Sequence, residues 1–323
     1  MKLGVFSTIL SDKPLDEALA YITSLGCTAV ELGSGGYPGT AHCNPKELLA
    51  DSAKLAAFKA TLEKYNITVS ALSIHGNPVH PDKAQADSYN ADFENAVLLA
   101  EKIGVDTVVT FSGCPGGSSV DKQPNWVTCP WPPEYLDVLD YQWNEVLIPY
   151  WKKAAAFATA HGVKNIALEM HPGFCVYNPE TLLRLRDAVG GGIIGANFDP
   201  SHLYWQGIKP VAAIRMLGDA VQHFHAKDVK IDPINTDKIG VLDTKHYIDE
   251  INRAWVFRTV GYGHDSAEWR DIISTLRLIG YDKVISIEHE DSLMTANEGL
   301  EKAVKFLLDQ MIAEPRPTTI SWA

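Results

Sequence analysis

One short pattern recurs along this sequence and constrains the fold more than any other feature. The end of an amphipathic helix is followed by Gly, a few polar residues and a β-branched run, as in segments 25–31, 103–109, 161–167 and 279–285. A glycine just past a helix closes the last turn in a left-handed conformation without a Cβ penalty. Repetition of this unit indicates strands and helices that alternate along the chain.

Eight strand candidates can be counted, and most are continuous apolar runs of the kind expected when both faces of a strand are buried. They lie near residues 2–7, 28–33, 67–75, 106–112, 165–170, 193–199, 221–226 and 283–288. Eight repeats of strand and helix predict an α/β fold of the (β/α)8 TIM barrel type. The rival architecture, a doubly wound open sheet, requires a Gly-rich turn after the first strand, and residues 7–11 (Ser-Thr-Ile-Leu-Ser) do not supply one.

The length of 323 residues suits one barrel with insertions, so we predict a single domain over residues 1–323. Two connections are too long for simple turns: residues 113–142 after the fourth strand and residues 228–264 after the seventh. Because both follow carboxyl ends of strands, we expect extended loops over the face of the barrel that carries active sites.

Composition excludes several classes of function. A formal net charge of −12, without a Lys/Arg cluster, disfavours nucleic acid as a partner. No apolar run is long enough to suggest a membrane span, and the amino terminus does not resemble a secretory signal. The five cysteines form no Cys-x-x-Cys pair, which argues against a disulfide framework or a thiolate zinc site. We therefore expect a cytoplasmic protein.

Polar side chains stand at the carboxyl ends of the predicted strands, which meet at one face of a barrel. Glu169, Asp199, His225 and Glu288 each close an apolar run. Three carboxylates and one imidazole form a hard, oxygen-rich site, for which we predict one divalent metal ion, Mn²⁺ first, with Mg²⁺, Co²⁺ or Zn²⁺ as alternatives. The competing interpretation is that Asp199 caps the next helix, His225 is a satisfied core histidine and the glutamates are rim charges.

Four motifs in fixed order resemble the xylose isomerase-like barrel superfamily, in particular its sugar phosphate isomerase/epimerase group. They are Glu-Met-His-Pro-Gly at 169–173, Phe-Asp-Pro-Ser-His at 198–202, His-Phe-His-Ala-Lys-Asp at 223–228 and Ile-Glu-His-Glu-Asp at 287–291. The resemblance covers almost the whole chain. It is specific for the fold and the metal, but not for the substrate.

This resemblance implies that Glu169, Asp199, His225 and Glu288 bind the metal, and that the two glutamates also exchange a substrate proton. It assigns His202 to a hydrogen bond with a substrate oxygen; the alternative is that His202 supports the metal ligands. The implied reaction is metal-dependent isomerisation or epimerisation of a sugar, in which a proton α to a carbonyl moves through an ene-diolate.

The main alternative is a lyase that begins with the same proton abstraction on a 3-keto-glycoside and then expels the aglycone, and the two insertions favour it. A non-catalytic sugar-binding barrel is a third hypothesis, against which the glutamate pair argues. A DNA endonuclease is a fourth. The acidic composition disfavours it, and residues 110–113 (Thr-Phe-Ser-Gly) lack a histidine that the trinuclear zinc endonucleases carry.

Six further residues are predicted to contact the substrate: His75, Glu31, His171, Trp131, Arg258 and His264. Packing or helix capping is the alternative for several of them, and Lys227 and Asp228 are predicted to pair with each other. The expected ligand is a small carbohydrate or glycoside, unphosphorylated because no Arg/Lys clamp for a phosphate is visible. Homo-oligomerisation or an accessory subunit stays an open prediction.

Overall fold

The protein is described by a computed structural model that covers residues 1–314 and 319. Within these residues the strands are β1 (Lys2–Phe6), β2 (Ala29–Gly33), β3 (Thr68–Ser73), β4 (Thr107–Phe111), β5 (Asn165–Glu169), β6 (Ile194–Phe198), β7 (Val221–Ala226), β8 (Asp228–Ile231), β9 (Trp255–Arg258) and β10 (Val284–Ile287). Eight of them form a closed parallel barrel in the order β1-β10-β7-β6-β5-β4-β3-β2, and β8 and β9 form a separate antiparallel pair. The prediction of a (β/α)8 barrel is confirmed, and each predicted strand lies within two residues of an observed one.

Helices connect the strands and cover the outside of the barrel. They are α1 (Leu15–Ser24), α2 (Pro45–Ala50), α3 (Ser52–Lys64), α4 (Lys83–Ile103), α5 (Glu134–Asp140), α6 (Ile148–Ala160), α7 (Pro179–Val189), α8 (Pro200–Tyr204), α9 (Pro210–Leu217), α10 (Pro233–Ile239), α11 (Ser266–Leu278) and α12 (Ala296–Gln310). No helix among the described residues combines the length and the apolar character that crossing a membrane requires.

The repeated glycine has the conformation that the sequence predicts. Gly104 follows α4 with φ of 74°, and its N–H donates to the carbonyl of Ala100. The other three glycines of the repeat, Gly26, Gly162 and Gly280, also have positive φ. Each of these turns reverses the chain so that the next strand can join the barrel.

The inside of the barrel changes from apolar to polar towards the carboxyl ends of the strands. Ala71, Val109 and Ala167 form a small apolar cluster. Two residues further along their strands, and therefore on the same face, lie the buried polar residues Ser73 and Glu169. Polar groups in a closed interior need partners: Ser73 donates to Glu31, and Glu169 accepts from the side-chain amide of Asn197.

The two long connections differ in structure. Residues 228–264 contain the β8–β9 pair, with α10 between its strands, and Trp255 of β9 stacks on Trp205 at 4.7 Å between ring centroids. Residues 113–142 are mostly irregular up to α5, and Gln142 donates to the carbonyls of Pro115 and Asn125. The proline-rich end of the chain, residues 315–318 and 320–323, lies outside the described residues.

Candidate metal centre

The four predicted ligands converge at the carboxyl ends of four neighbouring strands. Glu169 ends β5, Asp199 follows β6, His225 is the penultimate residue of β7 and Glu288 follows β10. One donor atom from each lies within 4.8 Å of the others. Nδ1 of His225 is 2.9 Å from a Glu288 carboxylate oxygen and 3.1 Å from one of Glu169. Parallel register across β5, β6, β7 and β10 is the cause of this convergence.

Several buried polar atoms in this cluster have no hydrogen-bond partner. They are Oδ2 of Asp199, Nδ1 of His225, Oε2 of Glu288 and Nε2 of His202. Leaving a buried polar atom without a hydrogen bond costs about 1–3 kcal/mol, and three of these atoms belong to predicted metal ligands, so a bound cation would offset part of this cost. Three carboxylates and an imidazole are also the donor set that a hard divalent cation prefers. The residues present therefore fit one metal ion.

Asp199 has two roles, one for each oxygen. Oδ1 accepts a hydrogen bond of 2.8 Å from the backbone N–H of Ser201 and thereby caps α8. Oδ2 faces the cluster, 3.2 Å from Nε2 of His202. The helix-capping interpretation and the metal-ligand interpretation are thus compatible.

Glu169 is held more tightly than any other group of the cluster. Nε2 of His75 is 3.0 Å and the amide nitrogen of Asn197 is 2.9 Å from the same carboxylate oxygen, Oε2. Nε2 of His202 is 3.2 Å from the other oxygen. Burial by itself raises the pKa of Glu169, but the contacts with His202, His225 and His75 outweigh burial and hold this pKa well below its usual range. Glu169 is therefore an ionised, oriented carboxylate.

The support from Asn197 was missed at the level of sequence. Asn197 lies two residues before Asp199, so its side chain points into the barrel from the same strand. An amide at this inward position of an otherwise apolar strand is the signal that could have identified it. The side-chain oxygen of Asn197, Oδ1, lies 2.9 Å from Nδ1 of His223. This contact extends the hydrogen-bond network further into the barrel.

Glu31 lies beneath the metal cluster and not on a substrate pocket. It is fully buried, and its two oxygens are 2.9 and 3.0 Å from Nε2 of His225. Ser73 donates to one oxygen, and Ser286 donates to the other at 2.6 Å. Burial by itself raises the pKa of Glu31, but His225 and His223 lower it to about 2. The barrel interior encloses this carboxylate, so the geometry gives no support to the predicted contact between Glu31 and a sugar hydroxyl.

Lys227 points into the site and contacts Glu288 and Glu290, so its predicted pairing with Asp228 is wrong. Its Nζ is 3.4 Å from a Glu288 oxygen, 2.6 Å from a Glu290 oxygen and 4.3 Å from the centre of the Phe257 ring. Successive side chains of an extended segment point to opposite sides, so Asp228 faces away. Burial by itself lowers the pKa of Lys227, yet Glu288 and Glu290 raise it well above its usual value.

A cavity of about 890 Å³ opens above the cluster. Glu169, Glu288, His202, His75 and His171 line it, so these predicted residues lie where a substrate could bind. Among the lining residues that sequence reasoning missed, five come from the long segment 228–264: Tyr247, Ile248, Glu250, Val256 and Phe257. Residues 113–142 contribute none of the described lining side chains.

Three of the residues predicted to contact the substrate lie outside the cavity lining, so the geometry gives these predictions no support. Trp131 is 74% exposed and does not line the cavity. Arg258 is held by Glu250 at 2.7 Å. His264 is 2.8 Å from Oδ1 of Asp228 and stacks on Tyr204 at 3.7 Å. The side chains of Arg258 and His264, which were expected to contact the ligand, are thus each bound by a neighbouring carboxylate.

The sequence of this chain is similar to a family model and to proteins of two bacteria. A family model described as xylose isomerase-like TIM barrel matches residues 19–310. The uncharacterized protein YfiH of Bacillus subtilis (strain 168) is 41% identical over 309 residues, which are 95% of this chain and 98% of that protein. An inosose dehydratase of Clostridium botulinum (strain Alaska E43 / Type E3) is 26% identical over 167 residues, about half of each chain (51% and 52%).

Solved structures share the fold at lower identity. The IOLI protein, solved with a bound zinc atom, superposes with a TM-score of 0.66 at 20% identity, covering 96% of this chain and 97% of that one. A D-psicose 3-epimerase, solved in the presence of D-fructose, gives a TM-score of 0.62 at 15% identity, covering 96% and 99%. At these identities the likeness concerns the arrangement of the barrel.

Proposed function

This chain belongs to the xylose isomerase-like TIM barrel family, and on that premise we propose that it is a divalent-metal-dependent enzyme that isomerises or epimerises a sugar. The observation that carries the proposal is the convergence of unpartnered, buried donor atoms of Asp199, His225 and Glu288 beside the oriented Glu169. The cluster forms the floor of a cavity large enough for a small molecule. A site of this kind matches a reaction in which a C–H bond next to a carbonyl is broken.

We propose that Glu169, Asp199, His225 and Glu288 hold one metal ion, Mn²⁺ first, with Mg²⁺, Co²⁺ or Zn²⁺ as alternatives. When bound, the ion supplies a Lewis acid that polarises a substrate carbonyl and makes the neighbouring C–H more acidic. His225 is set for this role by Glu31, which fixes the ring through Nε2 and leaves Nδ1 directed at the cluster.

The two glutamates supply the proton transfers. Burial raises the pKa of Glu288, but Lys227 and His225 outweigh burial and lower it to about 2, so Glu288 is ionised and can accept a proton at the carboxylate oxygen that does not hold the metal. Such a low pKa also makes Glu288 a weak base. Most of the driving force must therefore come from the increased acidity of the substrate. Glu169 also has a low pKa and is ionised, so it can return a proton to the opposite face of the carbon only after taking one up from water in the cavity.

His202 is placed to orient the substrate between these carboxylates. Its Nε2 lies 3.2 Å from oxygens of both Glu169 and Asp199, but makes no aligned hydrogen bond with either. A substrate hydroxyl or carbonyl oxygen could form a hydrogen bond with Nε2 of His202. His171 packs against His202 at 4.1 Å between ring centroids and limits the positions that the His202 ring can adopt.

Elimination from a hydroxy-ketone or a 3-keto-glycoside is the second candidate, and Lys227 favours it. After a glutamate removes the α-proton, the β C–O bond breaks and the departing oxygen needs a positive charge or a proton. Lys227 is a protonated ammonium 3.4 Å from the Glu288 carboxylate and inside the cavity wall. The partial similarity to inosose dehydratases agrees with this option.

Metal content and proton exchange test the proposal together. We expect about one Mn, Mg, Co or Zn per native chain and strongly reduced binding in Glu169→Gln/Glu288→Gln, while Glu290→Gln, a change on the cavity rim, retains the metal. Incubation with ketoses and 3-keto-glycosides in D₂O should introduce deuterium at one carbon only when metal is present. Release of water or an aglycone would assign the lyase instead. A native chain that binds no divalent metal would overturn the proposal.

A further inference from the structure

The cavity extends well beyond the metal cluster. Binding sites of about 300–1,000 Å³ enclose drug-sized ligands, and this cavity of about 890 Å³ lies near the top of that range. A single sugar ring on the cluster would leave the outer part empty. The outer part therefore needs an explanation of its own.

Two groups of aromatic side chains line the cavity, and each begins beside the metal cluster: the Phe111 ring is 4.7 Å from the His75 ring and the Phe257 ring is 5.5 Å from the His202 ring. In the first group Phe111 and Phe174 stack at 4.3 Å, with Tyr37 at 6.2 Å from Phe111. In the second group Tyr247 and Phe257 stack at 5.6 Å, and Ile248 follows Tyr247 in the chain. We call the part of the cavity bordered by these five aromatic residues and Ile248 the aromatic cleft.

The side chains at the mouth of the aromatic cleft are unusually exposed for their size. Tyr37 is 62% exposed, Tyr247 50% and Ile248 83%. Exposed aromatic and aliphatic side chains around a concavity typically mark a binding site, because a ligand that covers them removes apolar surface from water. Since the cleft is continuous with the metal cluster, one ligand can fill both.

The charges around the cleft disfavour an anionic ligand. Glu250, Glu290 and Asp291 line the cavity in addition to the carboxylates of the cluster. Lys227 is the single cationic side chain in the described lining, and Glu290 already binds it at 2.6 Å. A phosphate or carboxylate group would meet carboxylates here without a free cation to receive it.

We propose that the substrate has two parts, a polyhydroxylated ring at the metal cluster and an uncharged aromatic substituent in the aromatic cleft. The first part rests on the proposed function, whereas the second stands on the walls of the cleft. A flat apolar ring suits these walls because aromatic groups pack face to face or edge to face at the centroid distances seen between Tyr247 and Phe257 and between Phe111 and Phe174.

Calorimetric titration of the Mg²⁺-loaded protein tests this inference. The probes are 4-nitrophenyl and methyl D-glucopyranosides, each as both anomers. We expect the nitrophenyl form of one anomer to bind at least about tenfold more tightly than its methyl counterpart. The anionic 4-nitrophenyl glucuronide should bind more weakly than the neutral nitrophenyl glucoside. Equal affinity within about twofold, or no binding of nitrophenyl glucosides at about 10 mM, overturns the inference.

Substitutions in the aromatic cleft test whether the preference for the nitrophenyl group arises there. Tyr247→Ala/Ile248→Ser should remove most of the preference for the nitrophenyl group, and both side chains are exposed enough to be changed without loss of the fold. Ile251→Ser is the matched control, because Ile251 is 84% exposed in the same connection but does not line the cavity. A preference that survives the double substitution would contradict the assigned cleft.

The outcome can be separated from that of the proposed function. The same titrations on Glu169→Gln/Glu288→Gln, which should lack metal, measure the contribution of the nitrophenyl group alone. If the native chain binds no metal but keeps the preference, the proposed function fails and the cleft stands. If metal-dependent proton exchange occurs without any preference, only the inference about the cleft fails.

Discussion

At the scale of single residues, the two nitrogens of His225 connect the metal cluster to the interior of the barrel. Nδ1 faces Glu169 and Glu288, and Nε2 faces Glu31, which is 194 positions away in the sequence. A carboxylate behind a metal-binding histidine fixes the orientation of the ring and makes the other nitrogen a better ligand. This explains why a fully buried, ionised Glu31 is retained in a closed interior.

Replacement of Glu31 should therefore weaken metal binding although Glu31 is not a ligand. For Glu31→Gln we expect the affinity for Mn²⁺ to fall by about 10–100-fold, measured by calorimetry on protein whose far-UV circular dichroism is native. Glu63→Gln, an exposed change on α3, is the control. An unchanged affinity in Glu31→Gln would mean that the ring is oriented by other groups.

The protonation states of the ligands predict how metal affinity depends on pH. Burial raises the pKa of Asp199 to about 6. Burial by itself lowers the pKa of His225, but Glu31 and Glu288 reverse this and hold it well above its usual value. Metal binds the deprotonated forms, so His225 must lose a proton at neutral pH, and Asp199 must lose one as well below about pH 6.

Expressed as a measurement, the Kd for Mn²⁺ should rise about tenfold for each pH unit of acidification above pH 6 and more steeply below it. Titrations between about pH 5 and pH 8 in buffers that do not bind metal would show the change of slope. A Kd that is constant over this interval contradicts the assigned ligands.

At the scale of elements, the β8–β9 pair decides the shape of the cavity, and Asp228 anchors it. Oδ2 of Asp228 accepts hydrogen bonds from the backbone N–H groups of Gly261, Gly263 and His264 at 3.0–3.2 Å, and from the indole N–H of Trp269 at 3.3 Å. The turn that follows β9 is thereby tied to the start of β8. Side chains such as Phe257 reach the cavity because this anchor holds the pair over the barrel.

Removal of the Asp228 carboxylate should lower the stability of the fold. In Asp228→Ala several buried donors lose their acceptor, so we expect the free energy of unfolding to fall by about 3 kcal/mol or more. Urea denaturation monitored by tryptophan fluorescence measures the loss. Asp232→Ala, which removes only the cap of α10, should cost about 1 kcal/mol. Equal losses in the two variants would argue against the anchor.

At the scale of the whole molecule, the metal cluster joins four of the eight barrel strands at one end. The ligands come from β5, β6, β7 and β10 or the residues directly after them, and these strands are consecutive neighbours in the barrel. A bound ion therefore holds about half of the circumference together. It also satisfies buried atoms that otherwise have no partner.

Metal binding should in consequence stabilise the entire fold. At a free metal concentration of about 100 times Kd, the free energy of unfolding should increase by about 2.7 kcal/mol, provided that the unfolded chain does not bind metal. Thermal unfolding with added Mn²⁺ and with EDTA measures the difference. Glu169→Gln/Glu288→Gln should unfold at the same temperature under both conditions. A native protein that is insensitive to EDTA would contradict this coupling.

The sequence by itself determined the barrel of this protein and the convergence of the four predicted metal ligands. Both follow from local pattern: most strands are apolar runs, four helix ends carry the recurring glycine, and Glu169, Asp199, His225 and Glu288 stand where such runs end. Parallel strands in a closed barrel have their carboxyl ends at one face, so a position along the strand was enough to predict convergence.

The tertiary structure alone decided which other side chains reach the site. Glu31 and Arg258 were both predicted as substrate contacts, but one lies under His225 and the other is bound by Glu250. Lys227 points towards Glu288, and Tyr247, which belongs to the long segment 228–264, lines the cavity. These outcomes depend on the direction of each side chain and on contacts between segments far apart in the chain. No local pattern encodes such contacts, because they form only when the barrel closes.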